Sequence, residues 1–190
     1  MQSSDQAAAE GETRVKLPEV PQRTTPGFSF SIVERALFEC IAVRQFGKGE
    51  IEEVLAFFGG DPPACVFCGT TPIQRWDHLI PVSKGGDTTL GNIVPTCARC
   101  DDSKRDLPFE VWALSGAPNS PHTRGVADLD RRLAKIREYV AKYGYQARTP
   151  AERLVAAEFH QFEVLREDFR KLRRDFDAFI ALYRERTGLR

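Results

Sequence analysis

The sequence predicts an α+β protein, mostly helical, in which one small cysteine-bearing β module is set between helical segments. Three observations predict it. Two CxxC pairs, Cys65/Cys68 and Cys97/Cys100, bracket a stretch that carries hairpin signals. Apolar residues recur at three- and four-residue steps before that stretch and again after it. A length of 190 residues suits one ordinary domain, or a small metal domain with helical additions, and not two large cores.

Residues 1–27 hold Ser, Gln, Glu, an Ala triplet and prolines at 18, 21 and 26 without sustained periodicity, so a mobile tail is expected. Residues 28–60 read as an N-terminal helical segment. Ile32, Val33, Ala36, Leu37, Cys40 and Ile41 give a helix one apolar face, and Ser29 or Ser31 can cap its first amides. Gly47 and Gly49 break that helix. A second, short one follows in EIEEVLAFF, with acidic residues where the helix dipole favours them, and Gly59-Gly60-Asp61-Pro62-Pro63 ends it.

Residues 61–115 form the expected metal module. ACVFCG is a tight knuckle, because Gly69 frees the backbone to turn both thiols towards one point. Arg75 to Val82 is rich in strand formers, Gly85-Gly86-Asp87 signals a turn, and Asn92 to Pro95 returns as a second strand, which makes a hairpin. Cys97 to Arg105 carries no helix breaker, so the second CxxC starts a short helix. Residues 116–126 are a Pro/Gly/Ser-rich linker. In residues 127–190, Leu129, Leu133, Ile136, Val140 and Tyr143 mark one helix, and Phe162, Leu165, Phe169, Leu172, Phe176, Phe179 and Tyr183 mark another. Gly144 and Pro150 separate the two, so a helical hairpin is expected, whose aromatic seam packs on the preceding helix or on a second copy or partner protein.

Composition narrows the function. With 42% hydrophobic and 28% charged residues, no apolar run near the roughly 18 residues of a membrane span and no signal-peptide core, the chain is expected to be cytoplasmic and to have no membrane partner. The balance of 27 basic against 27 acidic residues excludes an unselective electrostatic nucleic-acid binder. Any DNA contact must come from local patches. The best candidate is 128–148, where Arg131, Arg132, Lys135, Arg137, Lys142 and Arg148 face three acidic residues, although a solvated helix face explains it as well.

In a reducing compartment, five cysteines of which four fall in CxxC pairs favour metal ligation over a disulfide framework. Cys65, Cys68, Cys97 and Cys100 can close a tetrahedral thiolate cage around a structural Zn²⁺. Cys40 is left over and is expected to be a small buried apolar residue. Trp76 and Trp112 are expected to pack the module, and His122 and His160 to face solvent.

Between the knuckles lie groups suited to a phosphodiester. His78 has a reference pKa near neutrality, about 6.5, and can take a proton from water. Asp77 beside it offers the hard oxygen that Mg²⁺ or Mn²⁺ prefers, and Asp101 can supply a second, with Asp102 a weaker substitute. Each has a plainer role available: Asn92 can form a turn, and Asp101 and Asp102 can be first-turn helix anions. Lys104 and Arg105 are cations that can clamp phosphate or simply face solvent.

From CVFCG through DHLIPVSKGG and Asn92 to a second CxxC followed by a polar residue and a Lys three places on, the segment of about 65–105 resembles the HNH endonucleases. These are ββα-metal nucleases, and the resemblance is to the subset stapled by zinc. It implies metal-dependent hydrolysis of DNA, with His78 activating water, Asn92 orienting the imidazole, and one Mg²⁺ or Mn²⁺ at Asp77 and Asp101. The implied products carry 5′-phosphate and 3′-hydroxyl ends, and a role in restriction or antiviral defence against phage is common in the family. The chain departs from the usual pattern at Asp101, where the family carries His or Asn. The rival expectations are a noncatalytic zinc module that binds DNA or protein, and a nuclease subunit switched on by a partner protein.

Overall fold

The computed structural model describes residues 26–188, so of the tail expected over 1–27 all but Pro26 and Gly27 lies outside the described residues, and those two are helical. The first helix, α1, spans Pro26–Glu39 and begins before Ser29. Proline is tolerated there because the first turn needs no amide donor. Ser31 does not cap the helix: its hydroxyl donates to the Gly27 carbonyl one turn back, at 2.7 Å.

After α1 come β1 (Arg44–Gln45) and α2 (Lys48–Phe58). The hairpin strands are β2 (Arg75–His78) and β4 (Ile93–Thr96), paired antiparallel with Arg75 opposite Thr96 and His78 opposite Ile93. Between them, β3 (Thr88–Thr89) runs parallel to β1, with Arg44 opposite Thr88. Next come α3 (Ala98–Lys104), α4 (Phe109–Ala113), α5 (Leu129–Lys142), α6 (Pro150–Arg153) and α7 (Ala156–Thr187). A mostly helical fold with a small ββα core and helices on both flanks is therefore what the chain forms.

Strand β2 stops well before Val82. The Leu79 amide still bonds the Asn92 carbonyl at 2.7 Å, but the next peptide group is claimed by a side chain. The Asn92 carboxamide accepts from the Ile80 amide at 2.8 Å and donates to the Ile80 carbonyl at 3.0 Å, taking the place of a partner strand. Pro81 then has no donor to continue a ladder, and Val82–Lys84 curls into a single 3₁₀ turn.

The main core lies between the hairpin, α2, α4 and α5. Phe67 and Trp112 are fully buried edge to face at 5.0 Å, and Leu133, Ile136 and Tyr139 of α5 close over them. Burying side chains of this size contributes on the order of 2–3 kcal/mol each. The Trp112 indole N–H donates to Ser103 Oγ at 2.9 Å, and Tyr139 Oη to the Ile93 carbonyl at 3.0 Å, so neither polar tip is buried unpaired. Both tryptophans pack the module as expected, Trp76 edge to face with Phe46.

A second, smaller core forms where Phe38 of α1, Phe162 of α7 and Val82 meet. The aromatic seam of α7 thus finds α1: Phe162 stacks edge to face on Phe38 at 5.3 Å, and Phe176 on Phe30 at 5.9 Å. The face of α1 turned to α7 carries Phe30 and Phe38, which leaves Ile32 and Val33 exposed. Cys40 is also exposed, against the expectation of burial, because it lies past the end of α1 in the turn leading to β1.

Candidate metal centre and hydrolytic site

The knuckle at Cys65–Gly69 closes through a Gly69 amide bond to the Cys65 carbonyl at 2.8 Å, with Gly69 at φ 75°, a conformation glycine adopts without strain. The hairpin brings Cys97 and the start of α3 back beside it. All four Sγ atoms lie within 4.8 Å of one another, with Cys68 Sγ 3.7 Å from Cys97 Sγ and 3.6 Å from Cys100 Sγ. Four sulfurs about 2.3 Å from one zinc ion stand about 3.8 Å apart, so the cluster has the size of a tetrahedral thiolate site. Its electrostatics point the same way. Hydrogen bonds from Cys100 and Cys65 hold the Cys68 thiol far below the usual range, while bonding to Cys65 and Cys68 pushes Cys100 up. One negative charge suppresses the next unless a cation neutralises them.

Residues beyond the hairpin close over the cage. Arg124 Nη2 donates to Cys100 Sγ at 3.0 Å, while its buried Nε has no hydrogen-bond partner. Arg132, anchored by Asp128 at 2.8 Å, lies against Gly69.

Asp77 and His78 end β2 on different sides, as successive strand residues must. Asp77 is buried, with the Lys104 ammonium of α3 3.2 Å from its Oδ2. That oxygen has no hydrogen-bond donor, and Oδ1 accepts from Lys104 at 3.3 Å. Burial, against the pull of Lys104 and with a smaller push from the charge of nearby Asp101, raises the Asp77 pKa to about 6. Lys104 is itself fully buried, and burial lowers its pKa. It is neither a phosphate clamp nor a surface cation, and its position could be inferred: it follows Cys100 by one helical turn, on the face that points inward.

His78 turns towards β3, where its Nε2 lies 2.9 Å from Thr88 Oγ1. Burial holds its pKa down to about 4, with Arg35 and Lys104 adding to the effect, so the imidazole is neutral at pH 7. The expected hydrogen bond from this ring to the Asn92 side-chain carbonyl is not made: that oxygen accepts from the Ile80 amide at 2.8 Å. Both N–H groups of the Asn92 carboxamide are used, on the Ile80 and Asp87 carbonyls at 3.0 and 2.7 Å. Asn92 shapes the loop between β2 and β4, where Gly86 leaves no room for a Cβ against the Ile80 carbonyl.

Asp101 sits in the first turn of α3 and pairs with Arg75 at 2.7 Å, and Asp102 pairs with the same guanidinium. Among the described residues, the thiols are the group of His, Cys, Asp and Glu ligand atoms gathered closely enough to hold a metal. Asp77, His78 and Asp101 share a neighbourhood but do not gather to that degree. The basic stretch on α5 is largely paired: Arg131 and Arg132 with Asp128, Lys135 with Glu138, Arg137 with Glu110. His122 and His160 are exposed, as expected. Nothing in the sequence singles out Thr88, because the two-residue strand that places it has no periodicity to read.

Residues 65–108 match the family model described as HNH endonuclease. The chain is 43% identical over 54 residues to the CRISPR-associated endonuclease Cas9 of Actinomyces naeslundii and 39% identical over 54 residues to that of Corynebacterium diphtheriae. Each alignment covers 26% of this chain and 5% of the relative, so the chain spans a small part of those proteins' length. It is also 29% identical over 90 residues to the SPbeta prophage-derived putative HNH endonuclease YoqL of Bacillus subtilis, covering 42% of this chain and 36% of that one. No solved structure matches the chain. Residues 65–108 are thus similar to HNH and Cas9 endonuclease segments and carry a cysteine cluster able to chelate a metal ion. No helix among the described residues is long and apolar enough to cross a membrane.

Proposed function

We propose that the chain is a metal-dependent endonuclease that hydrolyses DNA phosphodiester bonds, with His78 preparing the attacking water. The observation that carries this reading is a neutral, half-buried imidazole next to a buried carboxylate at the end of β2, inside an HNH-like module. A structural Zn²⁺ held by Cys65, Cys68, Cys97 and Cys100 fixes the hairpin on which both residues stand. Asp77 and Asp101 are the residues that would hold Mg²⁺ or Mn²⁺: Asp77 Oδ2 is a buried oxygen without a hydrogen-bond donor, and Asp101 is near enough for its charge to act on Asp77. When bound, that cation would offset charge on the phosphoryl oxygens and on the leaving oxygen. His78 takes one proton from water as its oxygen attacks phosphorus, the bond to the 3′-oxygen breaks, and solvent protonates the leaving group. The test is nicking of plasmid DNA with Mg²⁺ or Mn²⁺ by the wild type and by His78→Ala of equal zinc content. Equal activity in the two would remove His78 as the base.

A second reading, a noncatalytic zinc module that binds DNA or protein, is favoured by one specific observation. Both carboxylates meant for the cation already have basic partners, Asp77 in Lys104 and Asp101 in Arg75. Calorimetric titration with Mn²⁺ separates the two readings, since binding that is lost in Asp77→Ala supports the enzyme. Exposed Leu172, Phe179 and Leu182 on α7 motivate a third, a nuclease subunit that acts with a partner protein, for instance in anti-phage defence. Sequence-selective cutting by the purified chain alone would count against it.

A further inference from the structure

We infer that Thr88 is the positioning residue that orients the His78 ring, and that the segments flanking residues 65–108 serve to hold Thr88 in place. The inference deepens the hydrolytic reading and rests on it. Its starting point is the 2.9 Å contact between Thr88 Oγ1 and His78 Nε2, at a ring that Asn92 does not reach.

A neutral imidazole has one N–H and one lone pair, on opposite nitrogens. If the Thr88 hydroxyl accepts from Nε2–H, the lone pair sits on Nδ1 and the ring is a base. If the hydroxyl donates to Nε2 instead, Nδ1 carries the hydrogen and neither nitrogen can take a proton from water. The first arrangement is the one that serves catalysis. As Nδ1 gains a proton from the attacking water, the Nε2–H bond to Thr88 is kept and becomes charge-assisted, which stabilises the imidazolium.

Thr88 is held from outside the module. Its amide donates to the Val43 carbonyl at 2.9 Å, and it faces Arg44 across the short parallel ladder of β1 and β3. The preceding residue is fixed from two further directions. Asp87 Oδ1 accepts from the Val43 amide at 2.7 Å and pairs with Arg153 at 2.8 Å, while the Asp87 amide donates to Tyr145 Oη at 2.8 Å. The Asp87–Arg153 pair is almost fully buried, so it is a firm anchor rather than a loose surface contact. Val43, Arg44, Tyr145 and Arg153 all lie outside the matched segment. A β-branched side chain on backbone held this way has few rotamers, which fixes the position of the hydroxyl oxygen beside the ring.

The experiment is ¹⁵N NMR of the imidazoles in the full zinc-loaded chain without DNA, for wild type, Thr88→Val, Thr88→Ser and Arg153→Met, together with cleavage kinetics. The wild type is expected to show His78 with hydrogen on Nε2 and bare Nδ1. Thr88→Val should show a mixture of the two forms and a kcat lower by about tenfold at unchanged KM, and Thr88→Ser should restore both to within about threefold. Arg153→Met should shift the His78 signals towards those of Thr88→Val. Hydrogen on Nδ1 in the wild type, or cleavage by Thr88→Val as fast as wild type or faster, would overturn the inference. An unchanged His78 spectrum in Arg153→Met would overturn the part assigned to the flanks. If the wild type shows the stated form and its dependence on Thr88 but cuts no DNA with any divalent cation, the hydrolytic reading fails while the orientation by Thr88 stands.

Discussion

The thiol cage and the Asp77 carboxylate lie at opposite ends of α3, and both place potential anions where water is scarce. They meet the cost differently. In the cage, sulfurs have mainly one another for partners, and the charge on Cys68 suppresses ionisation at Cys100, so the cluster is incomplete without a cation from solution. At Asp77 the protein supplies its own cation, the fully buried Lys104. A built-in ammonium balances the Asp77 charge without drawing on metal from solution, whereas a thiol cage makes folding of the whole module depend on metal supply. The difference also sets a requirement for catalysis: a divalent ion at Asp77 must coexist with Lys104 or displace it.

The comparison breaks first at the cage. Stripping zinc with a strong chelator, or substituting Cys97→Ser, should unfold the module rather than loosen it, since structural zinc contributes on the order of 10 kcal/mol. The fluorescence of Trp112, fully buried against Phe67, should move to that of a solvated indole. Retained buried-Trp emission in metal-free protein would show that the cage is dispensable.

At the other end of α3, Lys104→Met leaves a buried carboxylate unpaired and should destabilise the chain by about 3–5 kcal/mol in urea titration. Adding Asp77→Asn should return most of that loss. Mg²⁺ at millimolar concentration should raise the Tm of Lys104→Met more than that of wild type if a cation can take the place of the ammonium. Equal shifts would place the ion elsewhere.

Acid titration sharpens the contrast further. Asp77, with its pKa raised to about 6 from an unfolded value of 3.8, takes up a proton in the folded state first, so its contribution to stability grows as pH falls through 6. His78, lowered from 6.5 to about 4, does the reverse, and its contribution is lost as pH falls from 6.5 towards 4. The two nearly cancel between pH 6 and pH 4. Asp77→Asn should therefore expose the His78 loss, about 2 kcal/mol across that window, in denaturant titrations at each pH.

The smallest effect is expected at Arg124. Removing its bond to Cys100 in Arg124→Met should leave the fold intact and speed zinc release to a colorimetric chelator by about tenfold, as loss of a partner to a metal ligand does.

Much of this was legible beforehand because the signals were local. The CxxC spacing marks the cage, Gly69 its turn, the apolar periodicities α1, α5 and α7, and an acidic first turn with a Gly/Pro stop α2. What escaped depends on which elements meet. Asn92 was expected at the imidazole because its residue type suits that task, but its carboxamide instead substitutes for backbone and ends β2 early. The seam of α7 was visible as a seam, yet periodicity states only that a face is apolar, and the face that answers it, on α1, is more than a hundred residues away. Cys40 was misplaced for a related reason, since the apolar rhythm of α1 runs on past the point where the helix stops.

The anchors on the glycine loop bear on how far this domain can be moved between proteins. Gly85 approaches the Arg148 backbone so closely that an added Cβ would lie 2.5 Å from its carbonyl oxygen, and the Gly85 carbonyl accepts from the Arg148 amide at 3.1 Å and from Arg153 at 2.9 Å. A graft cut at the boundaries of residues 65–108 would carry its four cysteines and its histidine into a new host but leave that scaffolding behind. Transplantation would have to take the stretch from Val43 to Arg153 as one piece.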